Sequence, residues 1–293
     1  MILKSVKQFE NKMKYFICDG NEPKLNIKHQ ISRYEFYKIK NITKELKYYL
    51  LSKSYMNIAV KNGLLLEEFF DKIKSIKAND ITPETYKNIN IESNCLMLNY
   101  LVSFRTFVDN LENYDKKIKN DRSFKTEVLS KIYDTEPIYS FFTKLRNFAT
   151  HYNVVFDILN INQEKNNIEL VSSKKHLLEY DEWKEWDLKF IKEYKGNLDY
   201  EAFVKKNNVL IMAIYQAFLI HLAPNLEKIH TQIGKIIKKY KIINPCLLST
   251  KDTYNLKNSN IYEIGLNILS EASKELSELP GVNIQILPVE NLL

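Results

Sequence analysis

Apolar residues recur at helical spacing over most of this chain. From Glu35 to about Ser52 the set Phe36, Ile39, Ile42, Leu46, Tyr49 and Leu50 keeps to one side of a helix. Asn62-Gly63 reads as a break. Leu64 to Ile76 then sets Leu65, Phe69, Phe70 and Ile73 against Glu67, Glu68, Asp71, Lys72 and Lys74, which predicts an amphipathic helix. Thr82-Pro83-Glu84 predicts a helix start, with Thr82 as cap and Pro83 at the first helical position. Between Asn94 and Tyr114, Leu98, Leu101, Val102, Phe104, Val108 and Leu111 form a wide apolar stripe. This is the expected central helix, with Arg105 and Asp109 four apart on its polar flank, an i,i+4 ion pair. Asp121 to Tyr133 predicts a shorter helix. Glu136-Pro137 opens another, whose apolar face is Ile138, Phe141, Phe142, Leu145 and Phe148 and which ends near His151 or Tyr152.

There the period changes. Val154 to Leu159 reads as a strand, Asn160 to Asn167 as a turn and Ile168 to Val171 as a second strand, together a β-hairpin. Helical spacing returns from Trp183 to Tyr194 and from Leu198 to about Tyr240, with a kink or break expected at Pro224, which cannot donate the i−4 hydrogen bond. Asn244-Pro245, Lys257 to Asn260 and Leu279-Pro280-Gly281 punctuate the C-terminal part, with one helix expected from Ile261 to Glu278. At the other end, Asp19-Gly20-Asn21-Glu22-Pro23 is a turn signal after a mixed stretch compatible with a short helix. No repeat and no Gly-Ser or Pro-rich linker imposes a boundary. The hairpin is the natural seam, giving an N-terminal segment (1–34), a helical bundle (35–153), the hairpin (154–172) and a C-terminal helical region (173–293). The fold class expected is mainly α.

Composition agrees and removes some alternatives. Six Gly and seven Pro in 293 residues are too few for the tight turns of an all-β fold. The net charge of +7 suits a polyanionic partner, but it is spread along the chain, with no dense basic tail. Cys18, Cys95 and Cys246 are far apart in sequence and form no CxxC, so neither a disulfide framework nor a zinc ribbon is expected, and a reducing, cytoplasmic setting fits. Lys4, Lys7, Glu10, Lys12 and Lys14 interrupt any signal-peptide core. The most apolar run, Val209 to Ala223, contains Gln216 and His221 and reads as a buried helix rather than a membrane span.

Motif chemistry narrows to one place. No Walker A, GxGxxG, HExxH or GxSxG sequence occurs, so no nucleotide cofactor and no metal is expected. His221 and His230 lie nine apart, out of phase on a helix, and His29 and His176 lack neighbours at ligand spacing. Lys144 to Asn153, by contrast, places Arg146, Asn147 and His151 at the end of an apolar helix. Cleaving RNA without a metal needs a base for the 2′-OH proton, a cation for the phosphorane and a donor that holds geometry. Histidine titrates near neutral pH, arginine binds phosphate oxygens with permanent charge, and asparagine can orient either. Asn147 and His151 share a helix face, while Arg146 lies about 140° away.

Arg146-Asn147-x-x-x-His151, with Leu145 before it and Tyr152 after it, resembles the R-x(4–6)-H signature of HEPN-domain ribonucleases. The resemblance covers about residues 35–155. It implies a helical bundle that pairs as a homodimer, bringing two motifs into one cleft. It also implies metal-independent endoribonuclease activity in a toxin–antitoxin or abortive-infection, anti-phage setting, with an antitoxin or other inhibitory partner protein. In that reading His151 is the general base or acid, Arg146 stabilises the phosphorane and Asn147 positions them, with Tyr152, Arg105 and Asp109 as supporting residues. Family members that carry a Tyr two residues after the His have it modified; here Tyr152 follows directly and Asn153 takes that place. Two other readings stay open: Arg146, Asn147 and His151 as a helix-end cap, or a non-catalytic HEPN-like module that binds RNA or a partner protein.

Overall fold

The computed structural model describes residues 13–20, 25–119, 122–164, 166–251, 256 and 259–280, of which 118 and 119 by backbone alone. The N-terminal charges up to Lys12, the turn residues 21–23, Asp121, Lys257-Asn258 and Gly281 lie outside the described residues.

The order of elements is β1 (Lys14–Asp19), β2 (Asn26–Ile31), α1 (Arg33–Ser75), α2 (Pro83–Tyr114), α3 (Ser130–Thr135), α4 (Pro137–His151), β3 (Ile158–Asn162), β4 (Asn167–Val171), α5 (Lys174–Leu178), α6 (Glu185–Glu193), α7 (Tyr200–Tyr240), β5 (Pro245–Thr250), β6 (Asn260–Glu263) and α8 (Leu266–Ser277). Short 3-10 and π-helical turns fill Ala78–Asp80, Asp115–Lys119 and Lys125–Leu129. The fold is mainly α, with a small β part. The chain divides into two compact units, one from Leu51 to Phe218 and one from the residues up to Leu50 with those from Leu219 onward.

In the Leu51–Phe218 unit the core is the seam between α2 and α4. Thr82 caps α2, its side chain accepting from the Thr85 amide at 3.1 Å, and Pro83 occupies the first turn. Met97, Tyr100, Leu101, Phe104, Phe107 and Leu111 are fully buried along one face of α2, as are Phe141, Phe142, Leu145 and Phe148 along α4. Tyr100 meets Phe142 with ring centroids 5.8 Å apart and Phe104 meets Tyr139 at 5.4 Å, both edge-to-face, so the helices run antiparallel. Each fully buried aromatic of this kind stabilises the unit by roughly 1.5–3 kcal/mol. Trp183 and Phe190 cover the other side of Phe141 at 5.8 and 5.3 Å. Polar contacts sit inside this packing: the Ser140 hydroxyl donates to Asp187 Oδ1 at 2.7 Å, with Asp187 fully buried in the first turn of α6, and Asn207 Nδ2 donates to the Tyr100 hydroxyl at 2.9 Å.

The other unit holds an antiparallel sheet in the order β2-β1-β5-β6. Tyr15 and Tyr262 lie against Phe36 at 4.8 and 5.8 Å. Glu35, at the start of α1, accepts from Lys239 and Tyr240 at 2.7 and 2.6 Å.

Several expectations change. The strands of this sheet occupy the N-terminal stretch read as compatible with a short helix and the weakly patterned part of the C-terminal helical region, where no strand was expected. These strands are short, and β5 is buried at every position, so it shows no alternation. The last helix starts at Leu266 rather than Ile261, because Gly265 turns the chain with φ +76. In the hairpin the second strand lies where expected, but the first begins at Ile158, four residues late. Val155 and Phe156 are apolar because they are buried in the connection, not because they pair.

Asn62-Gly63 is no break. α1 continues through it because Gly63 serves packing: a Cβ there would lie 2.3 Å from Asn208 Oδ1. Asn208 is fixed in place by donating to Glu67 at 2.8 Å. α7 likewise runs through Pro224. The apolar run in α7 is also longer than the Val209–Ala223 stretch suggests. By length and composition the helix can cross a membrane, with an 18-residue window of mean hydropathy 1.7 of which 39% is buried.

Candidate functional site

α4 carries the motif to its last residue. Pro137 sits in its first turn, and the helix ends where the amides of Tyr152 and Asn153 both donate to the Phe148 carbonyl, at 2.9 and 3.1 Å. Tyr152 leaves helical geometry with φ −122 and ψ −66. His151 is exposed, and among the described residues its imidazole makes no hydrogen bond. Tyr152 is half exposed and lays its ring against Phe148 and Tyr180, each 5.5 Å away.

Arg146 follows Phe142, which packs on Tyr100 of α2, by one turn of α4. Its Nη1 donates to Asn147 Oδ1 at 3.1 Å, while its Nε is buried without a hydrogen-bond partner. Among the described residues no carboxylate pairs with it. A half-buried guanidinium is normally paired, because an orphaned charged donor costs about 1–3 kcal/mol or more. Arg146, Asn147 and His151 thus occupy adjacent turns of one helix end. Asn147 is tied to Arg146, and His151 stands apart on the solvent side.

The backbone that follows is pinned from three directions. The Asn94 side chain on α2 donates to the Phe156 carbonyl at 3.0 Å and accepts from the Phe156 amide at 2.9 Å. His176 Nε2 meets the Val154 carbonyl at 2.7 Å, and the Ser172 hydroxyl donates to the Val155 carbonyl at 2.6 Å. Asp157 accepts from both the amide and the hydroxyl of Ser173, at 2.7 and 2.6 Å. These residues hold the end of α4 rather than act at it. Sequence reasoning took Asn94 only as a helix boundary. Its signal is an amide flanked by the apolar positions of α2.

The supporting pair sits elsewhere. Arg105 contacts Asp109 at 2.5 Å and Glu112 at 3.6 Å, and Glu112 also takes Lys125 at 2.6 Å. Arg105, Glu112 and Lys125 line a cavity of about 260 Å³ with Tyr133, Tyr139, Thr143 and Lys184. Tyr139 precedes His151 by three turns, roughly 18 Å along the axis. Arg105 and Asp109 are therefore not brought to His151. Burial raises the Tyr139 hydroxyl well above its ordinary value, and the nearby Arg105 charge partly offsets that. Among the described residues no group of three or more His, Cys, Asp or Glu side chains is placed to hold a metal.

A second feature lies on α2. Ile91, Leu98 and Val102 on α2 are 52%, 36% and 38% exposed, and Cys95 between them is exposed as well. Their 4-3-4 spacing is that of a helix–helix seam. Residues 88–104 contain a single charge, Glu92, and Lys72 pairs with it at 3.6 Å. The stripe lies on the helix that, through Asn94, holds the backbone following α4.

Comparison with protein-family models, with curated proteins and with solved structures gives no significant match.

Proposed function

We propose that this chain is a metal-independent endoribonuclease of the HEPN type. In this reading it works in the cytoplasm as a toxin or anti-phage defence effector, under the control of an antitoxin or other inhibitory partner protein. The observation that carries the activity is Arg146: a half-buried guanidinium with an orphaned Nε and, among the described residues, no carboxylate, on the same helix end as an exposed histidine. A phosphodiester supplies the missing anion. Arg146 would neutralise the phosphorane, with Asn147 holding its other nitrogen in place. His151 would take the 2′-OH proton and return one to the 5′-oxygen, leaving a 2′,3′-cyclic phosphate.

One copy offers one arginine and one histidine about 140° apart on the helix, which is half a site. The α2 stripe supports a homodimer. Nearly free of charge, it suits an identical surface across a twofold axis and offers no cations to RNA.

The test is incubation of the purified protein with total RNA in EDTA. Cleavage that His151→Ala and Arg146→Ala each abolish, at unchanged melting temperature, is the expected result. Equal cleavage by wild type and both variants would sink the assignment. A folded wild type that binds RNA without cutting it would leave the binding-module reading instead.

A further inference from the structure

The three cysteines look unrelated in sequence, yet two of them meet. Cys18 on β1 stands directly opposite Cys246 on β5 in the antiparallel register, flanked by the pair Phe16 and Leu248. Opposed residues in such a pair have Cα atoms about 4.5 or 5.5 Å apart, inside the span of about 4.4–6.8 Å that a disulfide bridges. Both cysteines are free and buried, and their thiols are hydrogen-bonded to each other. Cys246 also donates to the Gly20 carbonyl at 3.2 Å. Their cover is thin. Leu25, Ile27, Leu256 and Ile261, all only partly buried, pack over the cluster, and among the described residues no helix side chain belongs to it.

We propose that Cys18 and Cys246 are a thiol pair that closes to a disulfide on exchange with a small oxidised thiol, stapling together the two chain ends that build this unit. The Cys18 thiol donates to the Cys246 sulfur, which raises its own proton affinity and lowers that of Cys246. Cys246 is therefore the nucleophile. Its thiolate attacks one sulfur of the small disulfide and expels one small thiol. Cys18 then loses its proton and attacks the mixed disulfide at Cys246, expelling the second small thiol. Two protein thiols are oxidised and one small disulfide is reduced to two thiols. In a reducing setting the pair stays open, and it closes as the oxidised pool rises. Closure constrains a loop running from residue 18 to residue 246, a span over which cross-linking restricts the unfolded chain strongly.

The test uses the full chain carrying Cys95→Ser, so that no exposed thiol competes. After incubation of the native protein with oxidised glutathione, thiols are counted in denaturant and the intact mass is read. The expected product has no free thiol, a mass lower by two hydrogens, no glutathione adduct and a peptide joining residues 18 and 246. Its melting temperature rises by about 5 °C or more and returns with dithiothreitol. A further Cys246→Ser change should remove that rise. If that variant does not fold, the thiol count of the parent decides. Two thiols still titrating after oxidation, or a stable glutathione adduct, would overturn the proposal.

Discussion

Arg105, beside Tyr139, and Arg146 lie at different levels of α4, no more than about two turns apart, and differ in what surrounds them. Arg105 has Asp109 and Glu112 for partners, and Glu112 is shared with Lys125, so its charge is spent within the fold. Arg146 has one amide oxygen and an orphaned nitrogen. Ion pairs of the first kind, part-buried but still open to solvent, contribute on the order of 1 kcal/mol. A guanidinium left open at a helix end gains its partner only when an anion arrives. The same residue type is scaffold in one place and a candidate for chemistry in the other, and the carboxylates decide which.

Substitution of each arginine is the strongest way to break this contrast. Arg146→Lys keeps the charge but loses the planar fork, and RNA cleavage should fall by about 10²-fold or more. Arg105→Lys should leave cleavage within about twofold. Equal losses in the two variants, measured as initial rates on one RNA at equal melting temperature, would mean that the paired and open arginines are not functionally distinct.

The next test loosens the backbone beneath the open site. Asn94→Ala removes both hydrogen bonds to Phe156 and leaves a part-buried amide and carbonyl unsatisfied. Urea unfolding should show a loss of about 2–3 kcal/mol. Cleavage should fall about tenfold in the still-folded fraction, because the end of α4 loses an anchor. A stability loss with unchanged cleavage would show that the site does not depend on that clamp.

Gly63 gives a smaller, signed effect away from either arginine. Alanine is the better helix former by about 1 kcal/mol, so Gly63→Ala would stabilise an ordinary helix position. The contact with Asn208 reverses that sign, and a net loss of about 1–2 kcal/mol is expected. Adding Asn208→Ala should recover most of it in a double-mutant cycle. A stabilised single variant would show that the close approach is not what places glycine there.

This glycine also marks where sequence reading stops. Periodicity placed α2, α4 and the second hairpin strand because their apolar faces are long and one-sided. The Thr82-Pro83 start was legible because capping is local. Asn62-Gly63 misled because its cause, Asn208, lies 145 positions away. The four-stranded sheet was missed for the same reason: β1 and β5 come from opposite ends of the chain, and β5, buried throughout, carries no alternation. At the candidate site the residue types and their helix end were legible. The orphaned Nε of Arg146 and the clamp from Asn94 depend on packing between α2 and α4, which no spacing rule contains. The Arg105–Asp109 pair was legible from its four-residue spacing, whereas the lack of a carboxylate beside Arg146 among the described residues was not.

The smallest effect belongs to a third paired charge, and it sharpens the contrast from the other side. The Lys239 ammonium, and then the Tyr240 hydroxyl, hold the Glu35 carboxyl below its ordinary value of 4.5. A carboxyl with a depressed folded value contributes stability above its unfolded value and loses it as pH falls through the folded one. The contribution should therefore be complete at neutral pH and fade below about pH 4. The group is largely solvated, so Glu35→Gln should lower the melting temperature at pH 7 by no more than about 2 °C. By pH 3 wild type and variant should converge. A larger gap at neutral pH, or one that persists in acid, would mean that paired charges in this fold carry more of its stability than the Arg105 network is taken to carry. The closed arginine would then have to be read as a structural element in its own right.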